Sequence, residues 1–210
     1  GMFCDEKPLK SKCSKNSNAC YSFKTPKKYF NHISQNFNLL SLANNHSLDF
    51  GKTCLQETED LMTNSSLFYS NGINKYSSFT HKGKKIAFVA FHTGGSFTYN
   101  VNNIEEAKSL VTKLNTFHDI IIVSFHGGAE GHKAVRVPST MEKFYNSNRG
   151  ELIKFTHSLI DKGADIVLGH GPHIVRGLEL YKNKLIAYSL GNFSTYDEFN
   201  LAGLLKHGMI

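Results

Sequence analysis

"DIIIVSFHGGAEG", residues 119–131, decides the fold. Ile120, Ile121, Ile122 and Val123 run on through Ser124 and Phe125 without a charge, then break at His126 and a pair of glycines. A short β-branched run that is apolar on both alternating faces marks a parallel strand buried between layers. Just upstream, residues 103–117 place Ile104, Ala107, Leu110, Val111 and Leu114 along one helical face. Downstream, a helix predicted over 148–162 would bury Leu152, Phe155, Leu159 and Ile160 and stop at Gly163. It leads into a second strand of the same kind, "ADIVLGHGPH", residues 164–173. Strands alternating with amphipathic helices predict an α/β layered fold with a sheet buried on both sides.

The rest of the chain extends this pattern. Residues 9–24 are rich in Lys, Ser and Asn and read as a loop. "TPKKYFNHISQNF" predicts a helix with Thr25 as N-cap and Pro26 in the first turn. "LLSLANNHSLDFG", residues 39–51, is a strand that ends in unusual polarity, and residues 52–63 read as a helix. "YSSFTHKGKKIAFVAFH", residues 76–92, predicts two strands joined near Lys82 and Gly83, and "GLELYKNKLIAYSLGNF", residues 177–193, a hairpin.

With 210 residues, one domain spanning 1–210 is expected. The longest apolar runs fall far short of the roughly 18 residues of a membrane span. Residues 1–20 lack the apolar centre of a signal peptide, and Gly1 before Met2 reads as an expression remnant, so the natural chain is expected to begin earlier. The formal charge of +7 suits an anionic partner, but the lysines are scattered, which favours a solvated basic surface over nucleic-acid binding. Four cysteines without a C-x-x-C pair argue against structural zinc, and Cys13 and Cys20 flank a loop short enough for a disulfide in an oxidising compartment.

Three apolar strands end alike. "LLSLA" closes in Asn45 and His46, "DIIIVSF" in His126, and "DIVLG" in His170 and His173. Ligands of open α/β sheets bind at the carboxyl ends of the strands. Imidazole and amide donors converging there predict a metal site made of Asn45, His126, His170 and His173. His46 is then placed to protonate a leaving oxygen, with Asp49 either orienting it or capping the helix that follows. His32, His81, His118 and His157, on predicted helices, turns or loops, are expected to be surface or packing residues.

These segments resemble the bacterial capsule synthesis proteins of the CapA type, which are linked to poly-gamma-glutamate and belong to the calcineurin-like metallophosphoesterase superfamily. The resemblance rests on "SLANNHSLDFG", "VSFHGGAEG", "KGADIVLGHGPHIVRGLELYKNKLIAYSLGNF" and, more loosely, "EKPL" and "YSFKTP", in the family's order. It implies a metallophosphoesterase-like layered β-sandwich flanked by helices, with the metal site at the strand ends. Asn45, His126, His170 and His173 match metal-site positions, and His46 matches the neighbouring catalytic histidine. Glu130 falls on a family glutamate, and Glu6 on that of an Asn-Leu-Glu motif. Arg176, just after the histidine pair, is our own candidate for contacting an anionic substrate.

The implied cofactor is one or two divalent transition ions, Mn, Fe or Zn. The implied partners are an anionic polymer or phosphorylated substrate and capsule synthase components, in the cell envelope. Two departures stand out. The family opens with a strand ending in Gly-Asp, so the first strand is expected to be missing here and the domain truncated at its N-terminus and short at its C-terminus. Cys4 and Gly171 replace a family asparagine and histidine. Two divalent ions would bring four positive charges to donors that carry none, so at most one well-bound ion is expected. The resemblance implies a metal-dependent hydrolase of phosphoesters or related anionic bonds; the alternative is a non-catalytic binding or assembly protein for an anionic envelope polymer.

Overall fold

The computed structural model describes residues 2–5, 10–14, 20–72, 75–95, 97–193 and 201–210. In chain order the first elements are β1 (Met2–Phe3), β2 (Lys24–Thr25), α1 (Phe30–Ser34), β3 (Leu39–Ser41), α2 (Gly51–Thr63) and β4 (Phe68–Ser70). Next come β5 (Ser77–His81), β6 (Lys84–His92), β7 (Tyr99–Asn100), α3 (Ile104–Asn115) and β8 (Ile120–His126). The chain then forms β9 (Glu142–Phe144), β10 (Ser147–Gly150), α4 (Leu152–Asp161), β11 (Ile166–His170), β12 (Leu178–Tyr181) and β13 (Lys184–Ala187).

A seven-stranded mixed sheet runs in the order β12-β13-β11-β8-β6-β5, with β7 added beside β6. β13, β11, β8 and β6 are parallel neighbours, while β12 and β5 close the edges antiparallel, as hairpin partners must. Alternation divides the strands into two faces. Ala87, Val89, Phe91, Ile121, Val123, Phe125, Val167 and Ile186 meet Ala107, Val111 and Leu114 of α3 and Leu152, Phe155, Leu159 and Ile160 of α4 in the main core. Burying a Leu or Phe side chain there contributes about 1.5–3 kcal/mol each. Gly169 of β11 is required by close approach: a Cβ would lie 2.4 Å from Phe125 Cζ and 2.5 Å from Tyr188 O.

The opposite face is less covered than the sequence predicts. Ile122, Ile166 and Leu168 are half-buried, and Leu178, Leu180 and Leu185 on the β12–β13 hairpin are exposed. The physical reason is that α3 and α4 both pack on the other side. A second core gathers Met2, Phe3, Cys4, Phe30, Leu42, Cys54, Leu55, Met62 and Leu67 around α2. It is tied to the main sheet where Ala90 N–H donates to Ser70 Oγ, 2.8 Å away.

Two element starts differ from expectation. Thr25 caps no helix: Lys24–Thr25 pairs in parallel with Met2–Phe3, and Thr25 O accepts from Cys4 N at 3.1 Å, so tertiary pairing claims its backbone. A 3-10 turn at Lys27–Tyr29 then precedes α1. α4 begins at Leu152 rather than residue 148 because Ser147–Gly150 pairs antiparallel with Glu142–Phe144. The Asn103 side chain caps α3 by accepting from Glu106 N at 3.3 Å. The Cys13–Cys20 disulfide forms, and so does a second, Cys4–Cys54, that spacing did not suggest.

Candidate functional site

Parallel register sets three imidazoles side by side. His92, His126 and His170 are the last residues of β6, β8 and β11, and pairing matches His92 with His126 and His126 with His170. Strand alternation puts them on the face opposite the main core. Ring centroids are 5.3 Å apart between His92 and His126 and 5.1 Å apart between His126 and His170. His92 was not among the residues singled out from sequence, although "AFVAFH" ends an apolar strand in histidine just as the others do.

His92 and His126 are buried, and His170 is half-buried. His92 is 7% exposed and His126 5%. Neither ring nitrogen of His126, nor Nε2 of His170, has a hydrogen-bond partner among the described residues. Each such buried nitrogen costs about 1–3 kcal/mol unless a ligand or cation meets it. Burial, followed by the neighbouring histidines and Arg149, lowers His170 to about 4 and holds His126 well below the usual imidazole range. Burial likewise lowers His92 to about 4, against a hydrogen bond from Nδ1 to Gly94 O at 2.7 Å that favours its protonated form. All three are therefore neutral donors near pH 7.

His173 follows the row with φ 62°, the left-handed region that non-glycine residues seldom adopt. Its Nδ1 lies 2.8 Å from Asn192 Oδ1, which can only accept, so the proton sits on Nδ1. Gly171 also has a left-handed φ of 119°, and a Cβ there would press on the His126 ring at 3.1 Å. That contact explains glycine where the family resemblance leads one to expect a histidine.

Beside the row, the loop after β3 builds a second unit. Asn44 Oδ1 accepts from His46 N at 2.9 Å, and Ser47 Oγ donates to Leu42 O, folding residues 44–50 into consecutive turns. This brings His46 Nδ1 to within 2.8 Å of Asp49 Oδ2. Asp49 is 1% exposed and also receives Phe23 N–H at 2.7 Å and Lys12 Nζ at 2.6 Å. Burial alone would raise its carboxyl, but the bonds from His46, Lys12 and Phe23 outweigh it and hold it below the usual carboxylate range. Asp49 thus orients His46, and no side chain caps α2. Lys12 also donates to Asn45 O at 3.2 Å, and the Phe23 ring stands edge-on to His46 at 4.7 Å. Lys12→Met is expected to destabilise the chain by about 1–3 kcal/mol by stripping a buried carboxylate of a cation. Denaturant titration measures the loss, and recovery in Lys12→Arg checks that charge is the cause.

The other candidates are placed as follows. Asn45 is exposed. Glu6 lies outside the described residues. Glu130 pairs with Arg149 Nη2 at 3.0 Å. Arg176, 3% exposed, is engaged by Glu142 and by Arg136 O, at 3.1 and 2.7 Å. This buried ionic group braces the loop after His126: Arg149 Nε donates to Gly128 O at 2.9 Å, and Ala129 N to Glu142 Oε2 at 3.0 Å.

Neutral, unpartnered imidazole nitrogens fit a divalent transition ion in donor chemistry. As they stand, no three or more His, Cys, Asp or Glu side chains among the described residues are gathered around a common point suited to a metal ion. No helix among the described residues is long and apolar enough to cross a membrane.

Comparison with known proteins adds an independent line. The chain is 27% identical over 174 residues to the PGA biosynthesis protein CapA of Bacillus subtilis strain 168, covering 75% of this chain and 42% of that protein. It is 26% identical over 179 residues to the capsule biosynthesis protein CapA of Bacillus anthracis, covering 75% of this chain and 40% of that protein. The chain therefore spans about two-fifths of the length of these relatives. A hypothetical protein of known crystal structure from Thermus thermophilus shares the fold with a TM-score of 0.53 at 16% identity, over 86% of this chain and 63% of that one. The model of the family described as "Bacterial capsule synthesis protein PGA_cap" matches residues 5–196, and this chain belongs to that family.

Proposed function

We propose that this chain is the metal-dependent, hydrolase-like domain of a capsule or poly-gamma-glutamate biosynthesis protein, with a metallophosphoesterase-like layered fold, acting on a phosphoester or related anionic bond in the cell envelope. The observation that carries this reading is the pair His126 and His170, with both ring nitrogens of His126 and Nε2 of His170 buried without a partner among the described residues, set beside an oriented His46–Asp49 pair.

A manganese, iron or zinc ion held by His126, His170 and His173, with Asn45 at the edge, would supply Lewis acidity toward a phosphoryl or acyl oxygen. The chain's own residues do the rest. Asp49 holds the Nδ1 proton of His46, which leaves Nε2 to deliver or accept a proton at the leaving oxygen. Lys12 and Phe23 N–H keep Asp49 ionised so that this orientation persists.

The test is hydrolysis of bis(p-nitrophenyl) phosphate by the full chain with added manganese, iron or zinc. His46→Ala is expected to slow turnover by about 10²–10⁴-fold, the usual contribution of a general acid. His126→Ala is expected to remove both bound metal and turnover. Undiminished turnover in His126→Ala would sink the reading.

A second reading, a non-catalytic binding or assembly role with an anionic envelope polymer or synthase components, is favoured by the scattered positive charge and the ungathered donors. It expects salt-sensitive binding to poly-gamma-glutamate that His126→Ala leaves intact.

A further inference from the structure

Resting on the reading of this chain as a binder of an anionic envelope polymer, we infer that the outer face of α3, flanked by the end of α4, is a binding track for a linear polycarboxylate. The track lies across the sheet from the histidine row, because α3 and α4 pack on the core face and the row stands on the other.

Helical spacing builds the track. Glu105, Lys108, Ser109, Thr112, Lys113 and Thr116 follow one another at intervals of three and four, which places them on one stripe of α3 and its C-terminal cap. Together with Lys162, the residue that ends α4, they line an open groove of about 490 Å³. Lys108, Lys113 and Lys162 stand there against one carboxylate, Glu105.

The carboxylates around the groove are already engaged. Glu105 accepts from Lys108 Nζ at 2.9 and 2.8 Å, and Glu106 from Asn103 Nδ2 at 2.9 Å. Glu151 accepts from Lys154 at 3.3 Å and Asp161 from Lys182 at 2.5 Å. Among the described residues, neither the Lys113 nor the Lys162 ammonium has a hydrogen-bond or ion-pair partner. Two exposed cations are therefore left for an anion from outside the chain.

The lining selects the ligand class. Glu105 is itself a carboxylate held in this groove: the bond and charge of Lys108, then the charges of Lys162 and Lys154, keep it below its usual range. Ser109 and Thr112, both exposed, add hydroxyl donors between Lys108 and Lys113. No aromatic ring lines the groove, so nucleic-acid bases find no stacking platform. No large apolar side chain lines it either, so a folded protein partner finds no anchor. Lys108 and Lys113 are about 7.5 Å apart along the helix axis, which suits a flexible chain carrying repeated carboxylates.

The experiment follows the fluorescence polarisation of labelled poly-gamma-glutamate on the full chain at low and high salt. It compares the wild type with Lys113→Glu, Lys162→Glu, with Glu105→Gln, and with a control of equal charge change near α1 and α2, Lys28→Glu, Lys52→Glu. The groove double variant is expected to weaken low-salt binding about tenfold or more, and the control less than about threefold. Glu105→Gln, which frees Lys108, is expected to tighten binding about two- to fivefold. Lys113→Gln, Lys162→Gln adds no negative charge at the helix ends and carries the comparison if the reversal fails to fold. Wild-type affinity in both groove variants, with binding still salt-sensitive, would overturn the track and leave the polymer-binding reading standing. Equal loss in the control would mean that net charge alone acts, and would also overturn the track. Absence of binding in the wild type would overturn both. Tighter binding of polyphosphate of matched length, lost in the same variants, would overturn the carboxylate assignment.

Discussion

Replacing Arg176 with alanine is expected to lower the stability of the chain by about 3–5 kcal/mol, the range seen when one partner of a buried ion pair is removed. Arg176 and Glu142 are 3% and 5% exposed, and Nη1 sits 3.1 Å from Glu142. Without the guanidinium, Glu142 keeps its charge inside the protein, with Ala129 N–H as its remaining hydrogen bond among the described residues. Urea denaturation of the single variant measures the loss. The double variant Arg176→Met, Glu142→Leu is expected to recover most of it, because the penalty comes from the charge left behind. A single-variant loss below about 1 kcal/mol, the size of a surface pair, would mean that water reaches Glu142. The same variant checks the bracing of residues 127–130: under the metal-site proposal, metal affinity should fall along with stability, since the loop follows directly on His126.

Breaking the Cys4–Cys54 disulfide is expected to cost about 4 kcal/mol in the chain-entropy model, because the bridge closes a loop with a sequence separation of 50. The Cys13–Cys20 bridge, with a separation of 7, should contribute about 2–3 kcal/mol. The two differ in what they hold. Cys4 and Cys54 are 0% and 1% exposed and tie the N-terminal strand to α2 inside the second core. Cys13 follows Lys12, whose ammonium rests on Asp49. Guanidinium unfolding of Cys4→Ser, Cys54→Ser and of Cys13→Ser, Cys20→Ser, against the unreduced chain, ranks the two. Reversal of the ranking would show that the unfolded chain is already compact around residues 4–54. Loss of the shorter bridge should also loosen the Lys12 contact, so that under the hydrolase proposal this variant and Lys12→Met reduce turnover to similar extents.

Much of this architecture was readable from the chain because it is written in local terms. The apolar runs of β8 and β11, the helical spacing of Ile104 through Leu114, and the turn residues at Lys82 and Gly83 each declare themselves within a dozen residues. The habit of strands ending in histidine is local too, and it singled out His126 and His170; applied to "AFVAFH" it would have singled out His92 as well. Strand starts and helix starts were less legible. Thr25 looks like a helix cap until Met2–Phe3 pairs with it, and residues 148–150 look helical until β9 claims them.

What only the tertiary structure decided are the relations between distant residues. The sequence by itself established the strand and helix pattern and the side chains offered at the strand ends, since periodicity and residue chemistry need no partner, and its motifs carried the resemblance to the family that the family model then matched. It could not say that Cys4 meets Cys54, that Lys12 crosses to Asp49, or that Arg176 turns inward to Glu142 instead of outward to a substrate. Nor could it say that His92, His126 and His170 fall in one register. Each of these depends on where the chain returns after 30 residues or more, and that is settled by how the sheet and its two cores pack, which no local pattern encodes.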